Sequence, residues 1–242
     1  MFVSVILSTL LGVAAAQVQQ AVMAKTYTGW DCCKPACANA LPLRPDIIAT
    51  RGAAASCRAD NTRFPLQQSL LAASACNGGA AFLCAAYQPV PVSDTLSYGF
   101  AILMGGAAGP ANPACCRCYE AQWTSGAAAG KKIVVQVVNI AESSGTGNDI
   151  GAGDLILITP GGGVGPHPEG CRAQYGQRFA NSWGADYGGV TSRENCANLP
   201  DDLQGGCYWR YNWAGGEVNG WDIIYQPVTC PSRLTEISGC AA

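Results

Sequence analysis

Three acids stand where this chain could do chemistry. Asp31 lies in GWDCCKPAC (29–37), directly before two adjacent cysteines. Asp149 and Asp154 lie in GNDIGAGDLILIT (147–159), a glycine-rich loop that enters an apolar run. Two carboxyl groups suffice to hydrolyse a glycosidic bond, one giving a proton and one activating water or attacking carbon. Asp154 touches the apolar run, where burial disfavours charge, so a proton donor is expected there. Other chemistries find less support. A Ser–His–Asp or Cys–His enzyme needs an imidazole, and the single histidine, His167, sits between two prolines in GPHPEG and reads as an exposed loop residue. CCRC (115–118) looks like a ligand cluster, but zinc recruits well-spaced Cys or His, so no metal is expected. GTGNDIG (145–151) lacks the spacing and the strand–helix context of a dinucleotide fingerprint, and no cofactor is expected.

The elements that would hold these acids are cross-linked and β-rich. The chain has 242 residues and 14 cysteines, with net charge −2 and only 12% charged residues. No Lys/Arg run could neutralise phosphates, so neither nucleic acid nor an anionic membrane is an expected partner. Residues 1–24 read as a secretion signal, MFVSVILSTLLGVAAAQ and its continuation, with cleavage after Ala16 or Ala24. An oxidising destination makes seven disulfides the natural state of the cysteines. The expected product is a secreted, extracellular, monomeric protein with one catalytic domain over 25–242. Strands are expected at Cys118–Trp123, at Lys132–Ile140, where KKIVVQVVNI reads as buried on both faces, and at Asp154–Thr159. GCYWRYNW (206–213) and WDIIYQPVTC (221–230) are expected as two further strands. Short helical turns are expected around Cys76 and Cys84, and PGGGVG (160–165) as a tight turn.

Six ordered stretches carry a resemblance: WDCCKPAC (30–37), CCRCYEAQWTSG (115–126), AGKKIVVQ (129–136), PGGGVG (160–165), YGGVTSRENC (187–196) and CYWRYNW (207–213). Together they closely resemble glycoside hydrolase family 45 endoglucanases, in order from about Thr26 to Cys240. The resemblance implies an all-β fold, a six-stranded double-psi β-barrel with long disulfide-linked loops, a few short helices and an open groove for a cellulose or other β-glucan chain. It implies inverting hydrolysis of internal β-1,4-glucosidic bonds, with Asp31 as general base, Asp154 as general acid and Asp149 as an auxiliary acid. Trp30, Tyr27 and Trp183 are the aromatic residues expected against sugar. The implied disulfides are Cys32–Cys171, Cys33–Cys76, Cys37–Cys115, Cys57–Cys84, Cys116–Cys240, Cys118–Cys230 and Cys196–Cys207.

The chain departs from the family pattern at identifiable points. Gly29 stands where an aromatic usually precedes Trp-Asp-Cys-Cys, and Ala38-Asn39 where a Trp is common. Gly151-Ala152-Gly153 replaces Asn-His-Phe before the acid, and Asp154 lies further from Pro160 than usual. The alternative function is that of a non-catalytic, expansin-like or barwin-like wall-binding protein, and the intact Trp-Asp-Cys-Cys motif is what speaks for hydrolysis.

Overall fold

The computed structural model describes residues 21–39, 52–105, 113–142 and 150–241. The leader through residue 20, the Ala16 cleavage point and Asp149 therefore lie outside the described residues. Seven strands occur among them: β1 (Val22–Gly29), β2 (Val90–Pro91), β3 (Leu96–Met104), β4 (Cys118–Trp123), β5 (Lys132–Ala141), β6 (Leu155–Ile158) and β7 (Trp221–Val228). Six of them form a ring in the order β3-β5-β4-β7-β1-β6, which β6 closes by pairing back to β3. Closure leaves the six without a free edge. It is the six-stranded barrel that the resemblance implies. Two pairs, β1–β6 and β3–β5, are parallel, and the other barrel pairs are antiparallel. Ala24 pairs with Ile223 inside β1, so cleavage after Ala24 would remove the first three residues of that strand.

Strand alternation sorts side chains into two cores. Ile133, Val135, Leu155, Leu157, Ile223 and Tyr225 meet in one, where Ala101 and Ala121 leave room for Trp123. Val134, Val138, Phe100 and Ile158 meet the other, built with the cysteine-rich loops. β5 is thus buried on both faces, as its nearly continuous apolar sequence anticipates.

The segment 206–213 is helical, not a strand. α3 (Gln204–Trp209) continues into a wider turn over Arg210–Ala214. Trp209 and Trp213 are four residues apart, a helical spacing, and stack at 5.4 Å and 15°. Both rings lie within 6.4 Å of Trp123. Arg210 is fully buried. Its guanidinium donates to the carbonyls of Gly161, Gly188 and Val190, which clamps the PGGGVG turn. Aromatic-rich composition suggested a strand, and tertiary packing of the i, i+4 pair overrides that propensity. The remaining helices are α1 (Leu66–Leu71), α2 (Pro168–Tyr175) and α4 (Ser232–Ser238). The turns around Cys76 and Cys84 are short 3-10 segments.

All seven disulfides have the implied partners, and no free cysteine occurs among the described residues. Thiol titration in denaturant without reductant is expected to find none; two or more reactive thiols would break the framework. Replacing Cys33 and Cys76 together by Ala removes a link across 43 residues. The expected loss is about 2–4 kcal/mol in denaturant unfolding.

Candidate active site

The site is built at the end of β1. Thr26, Thr28 and Trp30 are buried, while Lys25, Tyr27, Gly29 and Asp31 alternate with them on the more open side. The PGGGVG turn closes over this end. Trp30 N–H donates to Gly163 O at 2.7 Å, and Thr159 N–H to Gly29 O at 2.9 Å. A Cβ on Gly162 would lie 2.6 Å from Thr28 Cβ, so only glycine permits this approach.

After Trp30 the chain turns sharply. Cys32 has φ +58°, a left-handed conformation that costs a non-glycine residue energy and persists only where surrounding structure enforces it. The enforcement is visible. Asp31 Oδ1 accepts Cys33 N–H at 2.9 Å, the two-residue side-chain turn to which Asp is suited. Cys32 is tied to Cys171 on α2, and Cys33 to Cys76 in the 3-10 turn Ala75–Asn77. α2 packs directly on the same corner. A Cβ on Gly170 would meet both Asp31 O and Cys76 Sγ at 2.5 Å.

Asp31 is half-buried. Desolvation pushes its carboxyl above the ordinary value of 3.8; the Cys33 N–H and His167 oppose that shift, and Glu169 adds to it. His167 Nδ1 lies 3.2 Å from Glu169 Oε1, and both side chains are about half exposed, at 49% and 48%. His167 and Glu169, at the start of α2, are the charged side chains that act on Asp31.

The structure does not bring Asp154 to Asp31. Asp154 precedes Leu155, which pairs with Thr26 in the parallel β1–β6 ladder. Its carboxylate accepts Lys25 N–H and Gly151 N–H, each at 2.7 Å. About 13 Å of strand separates Lys25 from Gly29, and Asp31 lies two residues further on. An inverting pair needs carboxyls roughly 6.5–9.5 Å apart. The electrostatic surroundings differ likewise: Asp154 acts on Lys25 and Tyr225, while Asp31 feels His167 and Glu169. Between the acids, Tyr27 pairs with Ile156, and Ile156 Cγ2 would be 3.1 Å from a Cβ on Gly29. In this register the expected acid lies beside Lys25, six residues before Asp31 in the chain. Asp154 acts here as an acceptor that fixes the entry into β6.

Two of the three expected sugar-binding aromatics are core residues. Trp30 is 2% exposed and packs in the disulfide-rich core. Trp183 is 6% exposed and packs on Tyr175 at 5.8 Å between rings. Neither presents a face to a ligand. Tyr175 and Phe179 line an open pocket of about 710 Å³ with Arg178 and Asp202, and Asp31 is not part of it. Tyr27 remains half-buried on the same side of β1 as Asp31. Sequence reasoning read His167 as an exposed loop residue and did not single out Glu169. A signal existed, since the implied Cys32–Cys171 pairing draws PHPEGC (166–171) to Asp31.

Burial of Asp31 predicts a stability effect with a definite sign. The folded state holds its proton more tightly than the unfolded chain, so stability falls as pH rises from the unfolded value through the folded one. Asp31→Asn keeps an acceptor for Cys33 N–H and removes the desolvated charge. Calorimetry is expected to show a higher Tm for this variant at neutral pH, with the difference fading well below pH ~3.9. An unchanged or lower Tm at neutral pH would contradict it.

The chain matches the description "Glycosyl hydrolase family 45" over residues 21–241. It is 36% identical over 211 residues to "Putative endoglucanase type K" of Fusarium oxysporum, covering 87% of this chain and 51% of that protein, about half its length. It is 34% identical over 244 residues to "Endoglucanase" of Cryptopygus antarcticus, covering 99% of this chain and 97% of the relative. The crystal structure of a cellulase from that Antarctic springtail superposes with a TM-score of 0.75 at 33% identity, covering 92% of this chain and 98% of the other. A closed barrel, seven disulfides in the implied pattern and matching over nearly its whole length make this chain a member of glycosyl hydrolase family 45.

Proposed function

We propose that Asp31 is the carboxylate on which catalysis by this glycoside hydrolase turns. The chain is an endoglucanase, and its substrate is a β-1,4-linked glucan such as cellulose. The observation that carries the reading is the corner at the end of β1, where two disulfides and a helix hold one desolvated acid. Desolvation strengthens Asp31 as a base. Rigid holding preserves the geometry on which a positioned base depends.

In the proposed reaction a water molecule gives a proton to Asp31 and attacks the anomeric carbon. The bond from that carbon to the glycosidic oxygen breaks, and the leaving oxygen takes a proton from a second acid. Attack from the face opposite the leaving group inverts the configuration. Tyr27, on the Asp31 side of β1, is the aromatic that this site can offer a sugar ring. The leader-like sequence and the disulfide framework support secretion. A second reading, glucan binding without hydrolysis, is favoured by one observation: Asp154, the expected acid, stands beside Lys25 in the middle of β1.

Viscosity loss and reducing ends released from carboxymethylcellulose separate these readings, with hydrolysis expected. Asp31→Asn is expected to lose nearly all activity while still binding cello-oligosaccharides; near-wild-type activity would remove Asp31 from the mechanism. Proton NMR of fresh digests is expected to show α-configured ends first, and initial β-anomers would indicate double displacement.

The acid is tested separately. Asp154→Asn places an amide against the Gly151 and Lys25 N–H groups, so a lower Tm is expected with substantial activity retained. Loss of hydrolysis in a folded Asp154→Asn variant would restore Asp154 as the proton donor. Loss in Asp149→Asn with retention in Asp154→Asn would assign donation to Asp149.

A further inference from the structure

We propose that His167 and Glu169, at the start of α2, are positioning residues that set the charge state of Asp31 and thereby the acidic limit of the reaction. The proposal rests on the reading of Asp31 as the catalytic base. It begins from geometry. The Cys32–Cys171 disulfide fixes α2 to the residue after Asp31. Gly170 leaves no room for a methyl group between α2 and the Asp31 carbonyl. Pro168 opens the helix, and its fixed φ suits the first helical position. His167 and Glu169 flank that proline and meet each other at 3.2 Å. The pair is therefore not a loose surface contact, because its backbone is locked to the corner that holds the acid.

The other elements at this corner bring little competing charge. The Ala75–Asn77 turn contributes only Cys76, which is disulfide-bonded. The 160–165 turn contains no titratable side chain, and Asp186 meets it through a backbone carbonyl that accepts Gly165 N–H. Lys34 is close in sequence, but its Nζ donates to Leu70 O and Ala72 O. On β1, Lys25 pairs with Asp222, and Tyr27 lies on the Asp31 side of the strand. Arg172 lies further along α2 and is exposed.

The two partners act on Asp31 with opposite sign. A protonated His167 favours the carboxylate, whereas an ionised Glu169 favours the proton. A positive charge on the imidazole keeps the base ionised further into acid. Glu169 meets that imidazole at 3.2 Å and opposes its effect on the acid. The pair thus compensates for the desolvation of the base where activity would otherwise fail first.

The test follows the Asp31 carboxyl carbon by NMR across pH, beside the pH profile of kcat/KM, in wild type and in the variants His167→Gln and Glu169→Gln. His167→Gln is expected to move both the Asp31 titration and the acidic limb upward by roughly half a pH unit, and Glu169→Gln to move both downward by a similar amount. High salt is expected to shrink both shifts, and His167→Lys to keep the Asp31 titration near that of wild type. Shifts of the same sign in both Gln variants, or none in either, overturn the proposal. So does loss of activity at every pH in Glu169→Gln with the Asp31 titration unmoved, which would make Glu169 a reacting group. An Asp31 titration that moves while the acidic limb stays fixed overturns the reading of Asp31 as base and leaves the coupling standing.

Discussion

Two adjacent cysteines cannot easily pair with each other, and this structure depends on that constraint. Cys32 reaches α2 through Cys171, and Cys33 reaches the 3-10 turn through Cys76. The backbone between Asp31 and Lys34 is therefore pulled in two directions at one point. That pull sustains a left-handed Cys32, closes the turn in which Asp31 accepts Cys33 N–H, and brings α2 to the acid. Both anchors together hold a desolvated carboxylate in one place. The glycine turn and buried Arg210 support the same corner from the other side.

The barrel then decides which residues can act with Asp31. Parallel pairing of β1 and β6 gives the two strands a common direction, so a residue entering β6 cannot lie beside one leaving β1. Asp154 is an entry residue and Asp31 an exit residue. Pro160 lies six residues after Asp154 in sequence. This spacing sets the acid at the start of β6 and leaves Ile156 opposite Tyr27. The two carboxylates consequently have different surroundings, one accepting Cys33 N–H under the influence of His167 and Glu169, the other holding two backbone N–H groups.

Much of this was legible in the sequence. The apolar runs of β5 and β6 marked two barrel strands, and the ordered motifs implied both the barrel and every disulfide pairing. Other features were not legible because they depend on contacts between distant segments. Aromatic residues at 207–213 resembled a strand until Trp209 and Trp213 found Trp123, while Arg210 found the glycine turn. Trp30 and Trp183 looked like platforms for sugar, yet large apolar rings are as readily used to fill a core. His167 read as a loop residue because its surroundings are prolines. Its closeness to Asp31 follows only when the Cys32–Cys171 link is followed into space. The register that sets Asp154 beside Lys25 was not legible, because strand pairing decides it and local composition does not.

The central claim is that chemistry takes place at the exit of β1, over Asp31, and not at the entry of β6. A crystal structure of the Asp31→Asn variant with a bound cello-oligosaccharide tests it most directly. The account predicts a sugar chain crossing the corner between Tyr27 and the start of α2, with an anomeric carbon within one water molecule of the substituted side chain. An oligosaccharide seated over Asp154, with the substituted side chain out of reach of every glycosidic bond, would contradict it.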